Sequence, residues 1–165
     1  MDLNTSEIIR PRAFYIGALA LVVLLLQPGL LPAQTDACAL LKAEDVASLL
    51  GGAPTHTSSP EGQACTWTNS GKKLILLTYK SIPGVPGEAA FMGARNSAQA
   101  MDDAKVSDET GVGDRAFSGQ VSFGAIFVVL KQGRLLQLQY WTGNQGTGED
   151  VAALRPLVKK AVAAF

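Results

Sequence analysis

The N-terminal segment constrains this chain more than any other feature, because it decides in which compartment the chain folds. Basic Arg10 and Arg12 precede an apolar run at residues 13–26, which is followed by a proline–glycine break and small residues up to Cys38. This order is typical of an export signal. Disulfides persist in the oxidising compartments that exported proteins reach, so Cys65, the only other cysteine, is the natural partner of Cys38.

The residues at the end of this segment predict where a signal peptidase cuts. Leu31 and Ala33 occupy the third and first positions before the predicted cut, where aliphatic or small residues are favoured. We therefore predict a cleavable signal peptide at residues 1–33 and a single domain at residues 34–165. Such a chain is expected in the periplasm or outside the cell, with membrane contact only through the signal segment.

Two other fates of the N-terminal segment remain open. A cut after Ala37 would leave Cys38 as the first residue, which lipid modification requires, but Thr35 occupies the position where lipoprotein signals carry leucine. Alternatively, the segment stays uncleaved as an anchor, because residues 13–33 contain only Gln27 as a polar residue and about 20 apolar residues can span a bilayer.

The charge balance bears on the class of partner. The chain has 14 basic and 14 acidic side chains, and the predicted signal contains two of each, so the remaining domain is neutral. Proteins that bind nucleic acid or membrane surfaces usually carry an excess of lysine and arginine. The predicted partner is therefore an unknown small molecule or an envelope protein, with no nucleic acid and no cofactor.

Three stretches have the apolar spacing of helices. Residues 37–50 predict one helix or two short helical turns, and residues 88–101 predict a weakly apolar helix on the surface of a sheet. The last helix follows Thr147 and Asp150, which resemble a capping box. Pro156 lies inside it and predicts a kink or a restart, since proline removes a backbone donor.

The remaining regular patterns are those of strands. Residues 65–68 and 74–80 predict a hairpin, residues 121–130 predict one strand buried on both faces, and alternation begins again at Leu136. Residues 53–63, by contrast, have the composition of an exposed loop. The order of elements predicts an α+β fold, in which an antiparallel sheet of about four to six strands packs with N-terminal, middle and C-terminal helices.

No pattern in the chain predicts catalysis or metal binding. The single histidine, His56, lies in the predicted loop without partners that would orient a catalytic imidazole. Ser70 and Lys73 fit the Ser-x-x-Lys spacing by which a lysine activates a serine, but the companion elements of those enzymes are missing. The acidic stretch at residues 102–114 does not follow the spacing of a calcium loop and predicts a solvated face.

A candidate binding surface lies near the C-terminal end of the predicted sheet. Gln137, Gln139 and Trp141 share the polar face of one strand, and Asn144 lies in the loop that follows. Aromatic and amide side chains of this kind bind sugars or peptides. These four residues are the predicted ligand-binding residues.

Taken together, several short motifs resemble a known group of proteins. The motifs are Cys-Ala-Leu-Leu at 38–41, Glu-Asp-Val at 44–46, Leu-Leu-Gly at 49–51, Cys-Thr-Trp at 65–67 and Gly-Val-Gly-Asp-Arg-Ala-Phe at 111–117. Their order resembles small exported bacterial domains found in actinobacterial lipoproteins and, more distantly, the extracellular sensor domain of a mycobacterial serine/threonine kinase. The resemblance implies a compact α+β sandwich with a Cys38–Cys65 disulfide.

The resemblance also implies a function, since those families are regarded as envelope binding or sensing modules. The leading hypothesis is therefore an exported, non-enzymatic binding module. The alternatives are a serine hydrolase that uses a residue such as Ser70 with Lys73, and a structural subunit of an envelope complex. This chain departs from the lipoproteins because it has no lipid-acceptor cysteine upstream of Cys38.

Overall fold

A computed structural model describes residues 36–164, so the predictions for the signal segment lie outside the described residues. The four helices in this range are α1 (Ala37–Leu40), α2 (Ala43–Leu50), α3 (Gly87–Gln99) and α4 (Gly148–Ala163). The seven strands are β1 (Thr55–Ser58), β2 (Ala64–Thr68), β3 (Leu74–Lys80), β4 (Lys105–Glu109), β5 (Arg115–Val121), β6 (Gly124–Lys131) and β7 (Arg134–Trp141).

The strands form one antiparallel sheet in the order β1-β2-β3-β7-β6-β5-β4. The predicted α+β class is confirmed, but the predicted count of four to six strands is too low. Three of the seven strands were not predicted: the edge strands β1 and β4, and β5, which the predicted strand at residues 121–130 overlaps only at Val121. All four residues of β1 are exposed, and Val106 is the one apolar residue of β4. Edge strands of this kind bury little, so they lack the alternation by which a strand is predicted.

Two predicted boundaries also change. Residues 53–63 are not entirely a loop, because they contain β1 and place His56 opposite Trp67 in the register of the sheet. The apolar run at residues 121–130 is not one strand: Val121 ends β5, and β6 begins at Gly124 after a two-residue turn. The apolar character of the run hides this turn, since Val121 pairs with Gly124 and both are buried.

The helices cover the two faces of the sheet unequally. Helices α1 and α2 pack on β2 and β3, and α4 packs on β5, β6 and β7. We call this side the covered face. It contains the larger apolar core, including Trp67, Leu77, Phe127 and Leu138. Of the helices within residues 36–164, α3 alone packs on the opposite side, over β4 to β7; we call this side the groove face.

The predicted disulfide is present and joins α1 to the sheet. Cys38 in α1 is bonded to Cys65 in β2, with 5.0 Å between their Cα atoms. Cys65 is fully buried, and Trp67 follows it on the covered face. The carboxylate of Asp36 caps α1 by accepting a hydrogen bond from the Cys38 N–H at 2.9 Å. The N-terminal end of the described chain is therefore held against the sheet by both covalent and polar contacts.

The predicted capping box of α4 is confirmed. Thr147 Oγ1 accepts from the Asp150 N–H at 3.2 Å, and Asp150 Oδ2 accepts from the Thr147 N–H at 2.8 Å. The helix continues through Pro156 without a restart. Pro156 and Ala152 are both exposed, so the carbonyl of Ala152, which loses its helical donor, faces water that can replace it.

A charged contact fixes α2 to α4. Asp45 Oδ2 accepts from the Lys42 N–H at 2.9 Å, and Asp45 Oδ1 accepts from Lys160 Nζ at 2.6 Å. The hydrogen bond from Lys160 lowers the pKa of Asp45 below its ordinary value of 3.8, the Lys42 N–H lowers it further, and desolvation opposes both. The folded chain therefore stabilises the ionised form of Asp45 more than it stabilises the protonated form.

This contact predicts a loss of stability in acid. Above the ordinary pKa of 3.8, we expect the free energy of unfolding of the wild type to exceed that of Asp45→Asn by a constant amount. The difference should shrink as the pH falls below that value and vanish below the lowered pKa of the folded state. Urea unfolding at a series of pH values measures it. Lys160→Met should weaken this dependence of the free energy of unfolding on pH. Lys159→Met, which removes an exposed neighbouring charge, should leave it unchanged.

Candidate functional site

The position of α3 is set by the Gly-Val-Gly-Asp-Arg-Ala-Phe motif and two ion pairs. Arg115 forms an ion pair with Glu88, and its guanidinium lies 4.8 Å from the centre of the Phe91 ring. Phe91 in turn meets Phe117 edge to face at 5.4 Å. These contacts hold α3 over the β4 side of the sheet. Its other side therefore borders β7 and the uncovered part of the groove face.

The second ion pair anchors the other half of α3. Arg95 Nη2 lies 3.1 Å from Asp108 Oδ1 in β4. Asp108 belongs to the acidic stretch that was predicted to be a solvated face. Glu109 in the same strand accepts from Ser118 Oγ at 2.8 Å and from Arg155 at 2.6 and 2.8 Å. The acidic residues of β4 thus fasten the edge of the sheet to helices on both faces.

A groove of about 600 Å³ lies between α3 and β7. This volume is within the range of about 300 to 1,000 Å³ that is typical of small-molecule sites. Its floor includes Ile126, Gln137 and Gln139, and Trp141 lies at one end. Most of the lining is apolar, and the polar groups are few.

The helical wall of the groove consists of small residues. Those that line it are Ala90, Gly93, Ala94, Ser97 and Ala98. Because none of these side chains is larger than that of serine, the space between helix and sheet stays open. A Cβ atom added at Gly93 would meet no atom within 4 Å, so a larger side chain there can enter the groove without moving the backbone.

The two ends of the groove differ in chemistry. At one end, the rings of Phe123 and Trp141 stack at 4.1 Å with an angle of 17°. At the other end lie Lys80 and Ile82. Lys80 pairs with Leu135 in the register of β3 and β7, six residues before Trp141. At about 3.3 Å per strand residue the two ends are about 20 Å apart.

The amide side chains on the floor keep free hydrogen-bonding capacity. Trp141 Nε1 donates to Gln139 Oε1 at 2.9 Å. Within residues 36–164, the amide nitrogen of Gln139 and the whole amide of Gln137 make no hydrogen bond to the protein. Both residues are half-buried. A ligand in the groove therefore meets one amide acceptor and two amide nitrogens that can donate.

The structure brings together three of the four predicted ligand-binding residues. Gln137, Gln139 and Trp141 all line the groove. Asn144 does not: it lies in the loop after β7, where its backbone N–H donates to Thr142 Oγ1 at 3.3 Å. Sequence reasoning missed Lys80 and the whole α3 wall. The spacing of the small residues on α3 was visible in the sequence, but nothing local showed which strand they faced.

The residues considered for catalysis lie elsewhere. Ser70 is exposed in the turn between β2 and β3. Lys73 Nζ lies 5.8 Å from the centre of the Tyr140 ring, which belongs to the covered face. His56 is exposed on the edge strand β1. In the part of the chain that the structure describes, no group of three or more His, Cys, Asp or Glu side chains could hold a metal ion.

The fold and the groove define an α+β domain in which helices cover more of one face of the sheet than of the other. Between residues 36 and 164, no helix has the length and apolar character needed to cross a membrane. The chain matches no protein-family model, and no curated protein or solved structure is significantly similar to it. The resemblance to small exported bacterial domains therefore stays a prediction.

Proposed function

We propose that this protein is an exported, non-enzymatic binding module of the cell envelope, and that its ligand occupies the groove between α3 and β7. One observation carries the proposal: the groove joins Gln137, Gln139 and Trp141 with a helical wall that leaves space of ligand size. An apolar cavity with a few convergent polar groups is the usual form of a small-molecule site. The disulfide is compatible with export.

The geometry lends less support to a serine hydrolase. A lysine that activates a serine must reach the hydroxyl to take its proton. The ammonium of Lys73 instead lies over Tyr140, where the ring stabilises its positive charge. Ser70 also lies in an exposed turn and not in the groove.

A native mass spectrum of the protein from its own cells, taken without reductant, tests the proposal. We expect a chain that begins at Gln34, is two hydrogens lighter than the reduced chain and carries additional small-molecule mass. Gly93→Leu should remove that mass, because Gly93 lines the groove and its added side chain takes space that the ligand would need. Leucine also forms helix better than glycine, so this variant is expected to fold.

Asn96→Leu is the matched control, because Asn96 is exposed on α3 and does not line the groove. It should keep the bound mass. A protein that carries no small molecule, or one whose bound mass survives Gly93→Leu, would contradict the proposed site. An N-terminus at Met1 or free thiols would contradict export instead.

A further inference from the structure

We infer that the ligand of the groove is a single-chain amphiphile with an anionic head group, bound along β7 with its head at Lys80 and its tail at Trp141. This inference rests on the proposed function and specifies its ligand class. Three properties of the groove support it: the charge at one end, the apolar surface at the other, and the distance between them.

Lys80 gives the groove a positive charge that no carboxylate of residues 36–164 neutralises. Among the described residues it is the only charged side chain in the lining, and no carboxylate of residues 36–164 lines the groove. Lys80 forms no ion pair within residues 36–164. An anionic group at this end gains Coulomb attraction, whereas a cationic group is repelled. The charge therefore selects the head group of the ligand and its orientation.

The opposite end offers mainly apolar surface, with the amide nitrogen of Gln139 as its neighbouring donor. The indole N–H of Trp141 is already bonded to Gln139 within the protein. Phe123 covers one face of the indole, and Met101 and Ile126 complete this end. Trp141 nevertheless remains 37% exposed, so apolar surface is left in contact with water. A hydrocarbon tail gains free energy by covering such surface, whereas a sugar would lose hydration of its hydroxyl groups there.

The length and the polar middle of the groove fit one chain. Its ends are about 20 Å apart along the strand, and one leaflet of a bilayer, half of a hydrocarbon core about 30 Å thick, corresponds to about 15 Å of acyl chain. Gln137 lies two residues, about 7 Å, from the Lys80 end. Its unpaired amide, with Ser97 on the facing helix, can bond the polar group that joins a head to a tail.

The test compares two amphiphiles that share a tail and differ in head charge. Dodecanoate and dodecyltrimethylammonium are titrated, below their critical micelle concentrations, into the mature protein after the small molecule that it carries from its own cells has been extracted. Binding is followed by calorimetry and by the change in tryptophan fluorescence, which we assign to Trp141 because Trp141 lines the groove and Trp67 is buried in the core of the covered face. We expect dodecanoate to bind more tightly. Lys80→Gln should weaken the binding of dodecanoate by about three- to fivefold, as expected for an exposed charge pair. It should not weaken the binding of dodecyltrimethylammonium.

Two further variants separate the inference from the proposed function. Lys72→Gln removes an exposed charge outside the groove and should leave both affinities unchanged. Gly93→Leu should abolish binding of dodecanoate. If dodecanoate does not bind, or binds equally well to Lys80→Gln, the amphiphile assignment is wrong. The proposed function still stands in that case if the mass bound in the cell depends on Gly93.

Discussion

Replacing Cys38 and Cys65 together by alanine is expected to lower the free energy of unfolding by about 3 to 4 kcal/mol. The two cysteines are 27 residues apart, and the bond restricts the unfolded chain over that loop. The bond matters for this fold because it attaches α1, a helix of only four residues, to β2, the strand next to the edge strand β1. Urea unfolding of the oxidised wild type and the double variant measures the difference.

Reduction provides the control for this prediction. Adding reductant to the wild type should lower its stability toward that of the double variant, and the same treatment should leave the variant unchanged. Cys65 is fully buried, so its truncation also leaves a small cavity, and the reduced wild type shows how much of the loss comes from the bond alone. Equal stability of oxidised and reduced wild type would show that the disulfide does not stabilise the fold.

Gly113→Ala should have a comparable effect through the backbone. Gly113 has φ +63°, and an added Cβ would lie 2.6 Å from the carbonyl oxygen of Leu130. The left-handed conformation costs alanine about 1 to 2 kcal/mol, and overpacking costs about 1 to 3 kcal/mol more. We therefore expect the free energy of unfolding to fall by about 2 to 5 kcal/mol, measured by urea unfolding.

Gly111→Ala is the matched control within the same motif. Gly111 has φ +73°, but an added Cβ would meet no atom within 4 Å. Only the conformational cost of about 1 to 2 kcal/mol should appear. If the two variants lose the same stability, the close approach of the motif to β6 is not what requires glycine at position 113.

The parts of the fold that could be predicted are those with a strong burial pattern. Residues 74–80 are rich in strand-forming side chains, and the apolar side chains of α4 recur at helical spacing, so both elements could be predicted from the sequence. β1 and β4 could not be predicted, because an edge strand with polar side chains looks like a loop. The turn after Val121 was hidden for the opposite reason, since apolar residues continue on both sides of it.

The candidate site was predictable only on one side. Gln137, Gln139 and Trp141 share a strand, so their common face follows from the alternation of β7. The α3 wall lies about 40 residues earlier, and Lys80 becomes a neighbour of β7 only because β3 pairs with it. The order of strands in the sheet decides both contacts. No pattern within a single segment contains that order.

The unequal covering of the sheet has a consequence for how this protein can evolve. The larger core and the disulfide lie on the covered face, whereas the groove is bordered by small, half-buried or exposed side chains on the other. Substitutions at Lys80, Gly93 or Ser97 alter the lining of the groove and do not touch the larger core. Under the proposed function, the ligand preference of this chain could therefore change during evolution without compensating changes in that core.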